Sequence, residues 1–224
     1  MEDTSHTREI KSVCEKMIGA KIQPFYKSTL RDGEETCGDL LNPNIMGDAM
    51  ENILWPYLQK AIPTIEEGPK QKSPDYKIGE EEYELKTFLK SPGFDIGGIT
   101  GYITSLSQEG GVKRKLINTK YIIFEYEIDE NFVLILNYWI LSVCDICCGY
   151  GGQKPINIGG GNGLNIRPAT KKQWTSEEEN HKRTPSRFLD RIEKLISSDY
   201  YKVSPEEKKH KLLSINKQRI ELNI

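Results

Sequence analysis

The chain has 224 residues, 37% hydrophobic and 29% charged, which lies in the normal globular range and is long enough for one large α/β domain or a domain with an appendage. A net charge of -2 and a pI of about 6.0 exclude nucleic-acid binding through bulk basicity, so any such surface has to be local. No apolar run approaches the roughly 20 residues that span a bilayer, residues 1–8 are polar, and the five cysteines lack the even spacing of a disulfide framework; the expectation is a cytoplasmic protein with free thiols and no membrane contact.

Residues 7–18 carry Ile10, Val13, Cys14, Met17 and Ile18 at helical spacing and stop at Gly19, which predicts a packing helix. After a turn rich in Gly, Asp and Glu at 31–38, residues 45–62 repeat apolar pairs every four residues, from Ile45/Met46 to Ala61/Ile62. That spacing predicts a helix with one buried stripe, kinked or divided at Pro56. A polar linker, 68–73, leads into predicted strands at 75–78, 83–89, 120–128 and 132–141, with 98–108 a short helix or a loop. Residues 149–174 gather Gly149, Gly151, Gly152, Gly159, Gly160, Gly161 and Gly163 without a steady period, as a long irregular segment does. Thr184-Pro185 then opens a helix with Phe188, Leu189, Ile192, Leu195 and Ile196 on one face, and Ser204-Pro205-Glu206-Glu207 caps a final one. The whole chain, 1–224, reads as one domain.

The stretch from Ser73 to Phe88 folds on paper as a hairpin whose two-residue turn is Gly79-Glu80, with Gly in the first position as a type II′ turn requires. Cross-strand pairing then sets Asp75 opposite Glu84. Opposed residues have Cβ atoms about 4.5 to 5.5 Å apart, where two carboxylates repel unless a cation lies between them. Side chains alternate along a strand, so Glu84 and Lys86 share a face and Tyr83, Leu85 and Thr87 share the other. Two carboxylates and an ammonium at one point suit phosphodiester hydrolysis: hard oxygen ligands hold Mg²⁺, and the lysine positions water and offsets charge on the phosphate. The plainer alternative is a solvated charged strand, but Leu85, Phe88 and Leu89 mark the strand as partly buried.

Pro74-Asp75, an eight-residue gap, then Glu84-Leu85-Lys86 resembles the core motif of the PD-(D/E)XK nuclease superfamily, particularly type II restriction endonucleases. The resemblance implies a restriction-endonuclease-like α/β fold with a mixed central β-sheet flanked by α-helices. It also implies Mg²⁺-dependent, sequence-specific cleavage of double-stranded DNA to 5′-phosphate and 3′-hydroxyl ends. Such enzymes add an acidic residue from a helix before the motif, and the matching position is Glu51, with Gly47 one turn earlier on the same face. Asp75, Glu84 and Glu51 would be the metal ligands and Lys86 the catalytic ammonium. The catalytic core would span about 40–145, followed by a DNA-recognition loop at 149–174 and C-terminal helices at 184–224. One active site per subunit acting on a palindromic sequence further implies a homodimer, built on the N-terminal or C-terminal helices.

Within the glycine-rich segment, Gln153, Lys154, Asn157, Asn162, Asn165, Arg167, Lys171 and Lys172 are side chains of the kinds that reach base edges and phosphates, with Arg167 and Gln153 the foremost for bases. Lys113, Arg114, Lys115 and Lys120, and separately Lys182, Arg183, Arg187 and Arg191, form basic clusters suited to phosphates. Cys144-x-x-Cys147-Cys148 lacks a second ligand pair and reads as small buried hydrophobes, and the glycine cluster lacks the Lys-Ser/Thr of a phosphate-binding loop. Two rival readings share these residues: a DNA-repair or junction-resolving nuclease of the same fold, and a non-catalytic DNA-binding protein whose acidic strand holds no metal.

Overall fold

A computed structural model describes residues 4–23, 25–29, 35–39, 43–69, 73–129, 132–147, 155–159 and 165–224. The elements begin with α1 (Ser5–Glu15), β1 (Lys21–Ile22), β2 (Phe25–Thr29), β3 (Glu35–Asp39) and α2 (Pro43–Ala61). Next come β4 (Glu66–Glu67), β5 (Tyr76–Ile78), β6 (Glu81–Leu89), β7 (Gly97–Gly98), α3 (Ile99–Ser107) and α4 (Gly111–Lys113), which runs on into a π-helical turn at Arg114–Asn118. Then follow β8 (Thr119–Ile128), β9 (Val133–Ser142), α5 (Val143–Ile146), β10 (Ile158–Gly159) and β11 (Asn165–Ile166). The chain ends with α6 (Lys171–Trp174), a 3₁₀ turn at Glu177–Lys182, α7 (Pro185–Ser197) and α8 (Pro205–Glu221). Among the described residues, no helix is long and apolar enough to cross a membrane.

The contacts divide the chain into two compact units, Met1–Lys90 with Tyr121–Ile140, and Ser91–Lys120 with Leu141–Ile224. The first holds a six-stranded sheet in the order β1-β9-β8-β6-β5-β4, beside the separate antiparallel pair β2-β3. Helices α1 and α2 supply Ile10, Val13, Cys14 and Met17, and Met46, Met50, Leu54 and Leu58, to one core with Tyr76, Tyr83, Leu85, Ile122, Phe124 and Ile135 of the sheet. The four α2 residues recur every fourth position, so one stripe of the helix is dry; each side chain so buried contributes about 1.5–3 kcal/mol. Helix α2 is not divided at Pro56. The proline is exposed, so the Asn52 carbonyl that loses its intrahelical partner faces solvent rather than the core.

In the second unit the expected α7 face of Phe188, Leu189, Ile192, Leu195 and Ile196 is buried, and Thr184 caps the helix by accepting the Arg187 N–H. Ser204 caps α8 in the same way from Glu207. Within residues 98–108, Ile99–Ser107 are helical, as one of the two readings had it. The segment expected to be irregular carries two strands of two residues each, which form a small sheet in the order β10-β11-β7. Strands that short leave no periodic signal.

Candidate active site

The β5-β6 turn has Gly79 at φ +59, with Glu80 outside the left-handed region, as a type II′ turn demands. This turn fixes the register Ile78↔Glu81, Lys77↔Glu82 and Tyr76↔Tyr83. The ladder ends at that pair, so the expected pairing of Asp75 with Glu84 is not formed; Asp75 directly precedes β5, and its N–H donates to the Tyr83 carbonyl at 3.0 Å. On the other side of Asp75 the Gly68 N–H donates to its carbonyl at 2.8 Å. Gly68 lies so close to the chain that a Cβ there would fall 1.6 Å from the Pro74 oxygen. A side chain at position 68 is therefore incompatible with this placement of Asp75.

Strand β6 turns Tyr83 and Leu85 into the core, and this sends Glu84 and Lys86 to the opposite face. Glu84 is nevertheless buried; it accepts a hydrogen bond from the Ser73 hydroxyl and lies 3.8 Å from the Lys86 ammonium. The Asp75 carboxylate accepts the Leu85 N–H at 2.5 Å. Burial raises the pKa of Asp75 above the usual carboxylate value; the Leu85 N–H and the Lys86 charge oppose that rise, while Glu84 and Asp48 reinforce it.

Glu51 arrives from α2. Met50 and Leu54 lock the helix on the core, and Gly47, Glu51 and Trp55 form the half-buried stripe beside that dry one. Tyr76 of β5 donates to the Glu51 carbonyl at 3.1 Å, and its ring stacks on Trp55 with centroids 5.9 Å apart and planes 4° from parallel. These contacts set Glu51 in the field of Asp75, Asp48, Lys86 and Glu84. Desolvation first, then repulsion from Asp75 and Asp48, push its carboxyl up to about 7. The structure thus brings Asp75, Glu84, Lys86 and Glu51 together. Asp48, one turn before Glu51 and exposed, joins their negative field, a participant that sequence reasoning passed over because an acid on the wet side of a helix carries no local signal. Ser73 was missed for a similar reason.

Among the described residues, no three His, Cys, Asp or Glu side chains converge closely enough to hold an ion as they stand. Glu84 is turned to Ser73 and Lys86, and Asp75 to a backbone N–H. In chemical type the set nonetheless fits a hard cation: oxygen donors, partly desolvated, whose charges repel one another.

A sequence model of the family described as NgoBV restriction endonuclease matches residues 40–221. The chain belongs to this family. It is a type II restriction endonuclease, and DNA is its substrate. Among solved structures, the fold is similar to NlaIV restriction endonuclease, with a TM-score of 0.70 over 99% of this chain and 91% of that one at 22% identity. No curated protein sequence matches the chain. The likeness of fold bears out a mixed α/β architecture of the restriction-endonuclease kind.

Of the residues expected to meet DNA in this endonuclease, Gln153, Lys154 and Asn162 lie outside the described residues. Asn165 sits on β11 and Arg167 just beyond it; Lys171 and Lys172 open α6 behind the Thr170 cap. Within the basic clusters, Lys115, Arg183 and Arg191 have structural roles. Lys115 is 7% exposed in the π-helical turn. Arg183 donates to the carbonyls of Trp174 and Ser176, and Arg191 to that of Cys147 at 2.5 Å, so both guanidinium groups satisfy loop backbone. Cys144 and Cys147 are buried free thiols, as expected, and burial pushes Cys144 up to about 12.

Proposed function

We propose that this endonuclease cuts both strands of double-stranded DNA at a specific sequence by Mg²⁺-dependent hydrolysis at Asp75, Glu84, Lys86 and Glu51, as a PD-(D/E)XK enzyme working in the cytoplasm. The observation that supports the reading is the hold of the Asp75 carboxylate on the Leu85 N–H, between Glu84 and Lys86 on β6, with Glu51 of α2 in the electrostatic field of all three. Asp75, Glu84 and Glu51 would hold the cation. When bound, it supplies positive charge against the phosphate oxygens and acidifies neighbouring water. Holding a cation would require Glu84 to give up its present Ser73 and Lys86 partners, which would leave the Lys86 ammonium available to the scissile phosphate and the attacking water. The water oxygen forms a bond to phosphorus, the bond from phosphorus to the 3′ oxygen breaks, and that oxygen takes up a proton. The ends are a 5′-phosphate and a 3′-hydroxyl.

Asn165, Arg167, Lys171 and Lys172, with Gln153, Lys154 and Asn162, are proposed to contact the DNA, Arg167 and Gln153 at base edges. The whole chain acts as one endonuclease domain, and two copies act together, because one site per chain and a two-fold target favour a two-fold enzyme. Sedimentation of the protein at working concentration tests the dimer.

The deciding experiment digests several plasmids with and without Mg²⁺, comparing the unaltered chain with Lys86→Ala. Discrete fragments that need Mg²⁺ and vanish with Lys86→Ala are expected. Equal cutting by Lys86→Ala, or cutting that persists in chelator, would overturn the assignment of the site.

A further inference from the structure

Asp95 lies outside every motif, yet its two carboxylate oxygens are taken by two different side chains. Oδ1 accepts the Arg167 Nε–H at 2.9 Å, and Oδ2 accepts the Asn165 Nδ2–H at 2.7 Å. All three residues belong to the second compact unit, in or beside its small sheet: Asn165 pairs with Gly98 across β11 and β7, and the Ile96 N–H donates to the Ile166 carbonyl at 2.9 Å. The Arg167 backbone is held as well, its N–H by the Asn157 carbonyl at 3.0 Å. Its side chain crosses Gly159, where a Cβ would come 2.7 Å from Arg167 Cδ and 3.1 Å from Nε. An arginine that a carboxylate, a glycine and a strand all position is more constrained than a surface cation has reason to be, because each restraint removes rotamer freedom a solvated arginine would keep.

Arg167 spends Nε on Asp95, and among the described residues its two terminal nitrogens have no hydrogen-bond partner. Two parallel N–H donors at the end of a fixed guanidinium match the O6 and N7 acceptors of a guanine edge. They match a phosphate too, but Asp95 decides between these. Its half-exposed carboxylate offsets the arginine charge that would draw a phosphate and repels the phosphate itself. The Asn165 side-chain oxygen and the remaining lone pairs on the two Asp95 oxygens are acceptors, the type that the N4 amino group of a paired cytosine needs.

We infer that Asn165, Asp95 and Arg167 form a preassembled reader of one G·C base pair in the target sequence, with Asp95 a specificity-determining residue that positions Arg167. The inference rests on the nuclease reading above and deepens it. Three changes disturb the reader in different ways. Asp95→Asn removes the charge that aligns the guanidinium; Arg167→Lys replaces the fork with a single point charge; Gly159→Ala displaces the arginine side chain while removing no functional group.

The test is Mg²⁺-dependent digestion of a plasmid library with randomised inserts, with fragment ends sequenced for the unaltered chain and the three variants, each first checked for folding by circular dichroism and melting. The unaltered chain is expected to cut at sites with a fixed guanine that all three variants relax at the same position, by about tenfold or more in preference. Slower cutting of every sequence alike, with base preference unchanged at all positions, would make the trio a structural strut or a phosphate contact and overturn the inference alone. If one variant does not fold, the other two decide. No Mg²⁺-dependent ends from the unaltered chain would overturn the nuclease reading and this inference together.

Discussion

Tyr76 donates its phenolic hydrogen to the backbone carbonyl of Glu51, 3.1 Å away, and so joins β5, next to Asp75 in sequence, to the helix that carries Glu51. The bond ties the placement of one acid to that of another across separate elements. Tyr76→Phe keeps the ring that stacks on Trp55 and removes only the hydroxyl. It is expected to lower stability by about 0.5–1.5 kcal/mol, as loss of a typical hydrogen bond does. Because Glu51 is then less well placed, Mg²⁺ affinity should fall while the cutting rate at saturating Mg²⁺ stays near that of the unaltered chain. Urea unfolding and a Mg²⁺ titration of cleavage check the two halves separately; unchanged Mg²⁺ affinity would show that Tyr76 only braces the core.

The raised carboxyl of Glu51 makes stability depend on pH in a definite direction. Its folded value, about 7, lies above the reference 4.5, so between those values the folded state binds more protons than the unfolded one. Stability contributed by this group is therefore full below the reference value and declines as pH rises toward about 7, with Asp75, also raised, adding in the same sense at lower pH. Melting temperature in chelator is expected to fall across this window and then level. Glu51→Gln should flatten the fall, and Ca²⁺ should oppose it by pairing with the ionised carboxylates. A melting temperature that rises through the same window would contradict the electrostatic picture of the site.

Gly68 lets the chain before β5 approach Pro74 and Asp75 more closely than any side chain permits. Gly68→Ala would drive a Cβ into the Pro74 carbonyl, a backbone atom that cannot swing aside. The expected outcome is a stability loss of about 1–3 kcal/mol, the usual scale of overpacking, with a proportionately larger loss of cleavage because Asp75 shifts with the strand. Thermal melts and cleavage assayed well below the melting temperature distinguish the two. Full activity at low temperature would mean that Asp75 keeps its place.

The hairpin bearing Asp75, Glu84 and Lys86 was legible because its information is local: a Gly-first turn sets the register, and a period of two sets the faces. The buried faces of α2 and α7 were legible for the same reason, at helical period. What could not be read was contact between distant segments. Nothing near Ser73 announces its bond to Glu84, nothing near Asp95 announces Arg167, and Arg183 and Arg191 resemble surface cations until the carbonyls they bind are seen. The strands β7, β10 and β11 are too short to impose a pattern, so the small sheet that carries Asn165 emerged only from its pairing.

Gln218 offers a test of the second unit that leaves the acids of the proposed site untouched. From α8 its amide accepts the Val112 N–H at 3.0 Å and donates to the Leu106 carbonyl at 3.1 Å, and so ties the end of α3 and the start of α4 to the last helix. The residue is only 6% exposed, so replacing it leaves both backbone groups without a ready water partner. Gln218→Leu preserves much of the volume and removes both bonds; a loss of about 1–3 kcal/mol per stranded group is expected, enough to consume a large part of an ordinary domain's stability. Gln218→Glu keeps the acceptor for Val112 but sets a carboxylate against the Leu106 carbonyl, so it should also destabilise, and less so at acid pH where the protonated side chain can donate. Urea melts of both variants across pH read this out. Equal stability of Gln218→Leu and the unaltered chain would mean that Val112 and Leu106 find other partners, and that α8 is held by Ile215 and its apolar neighbours alone.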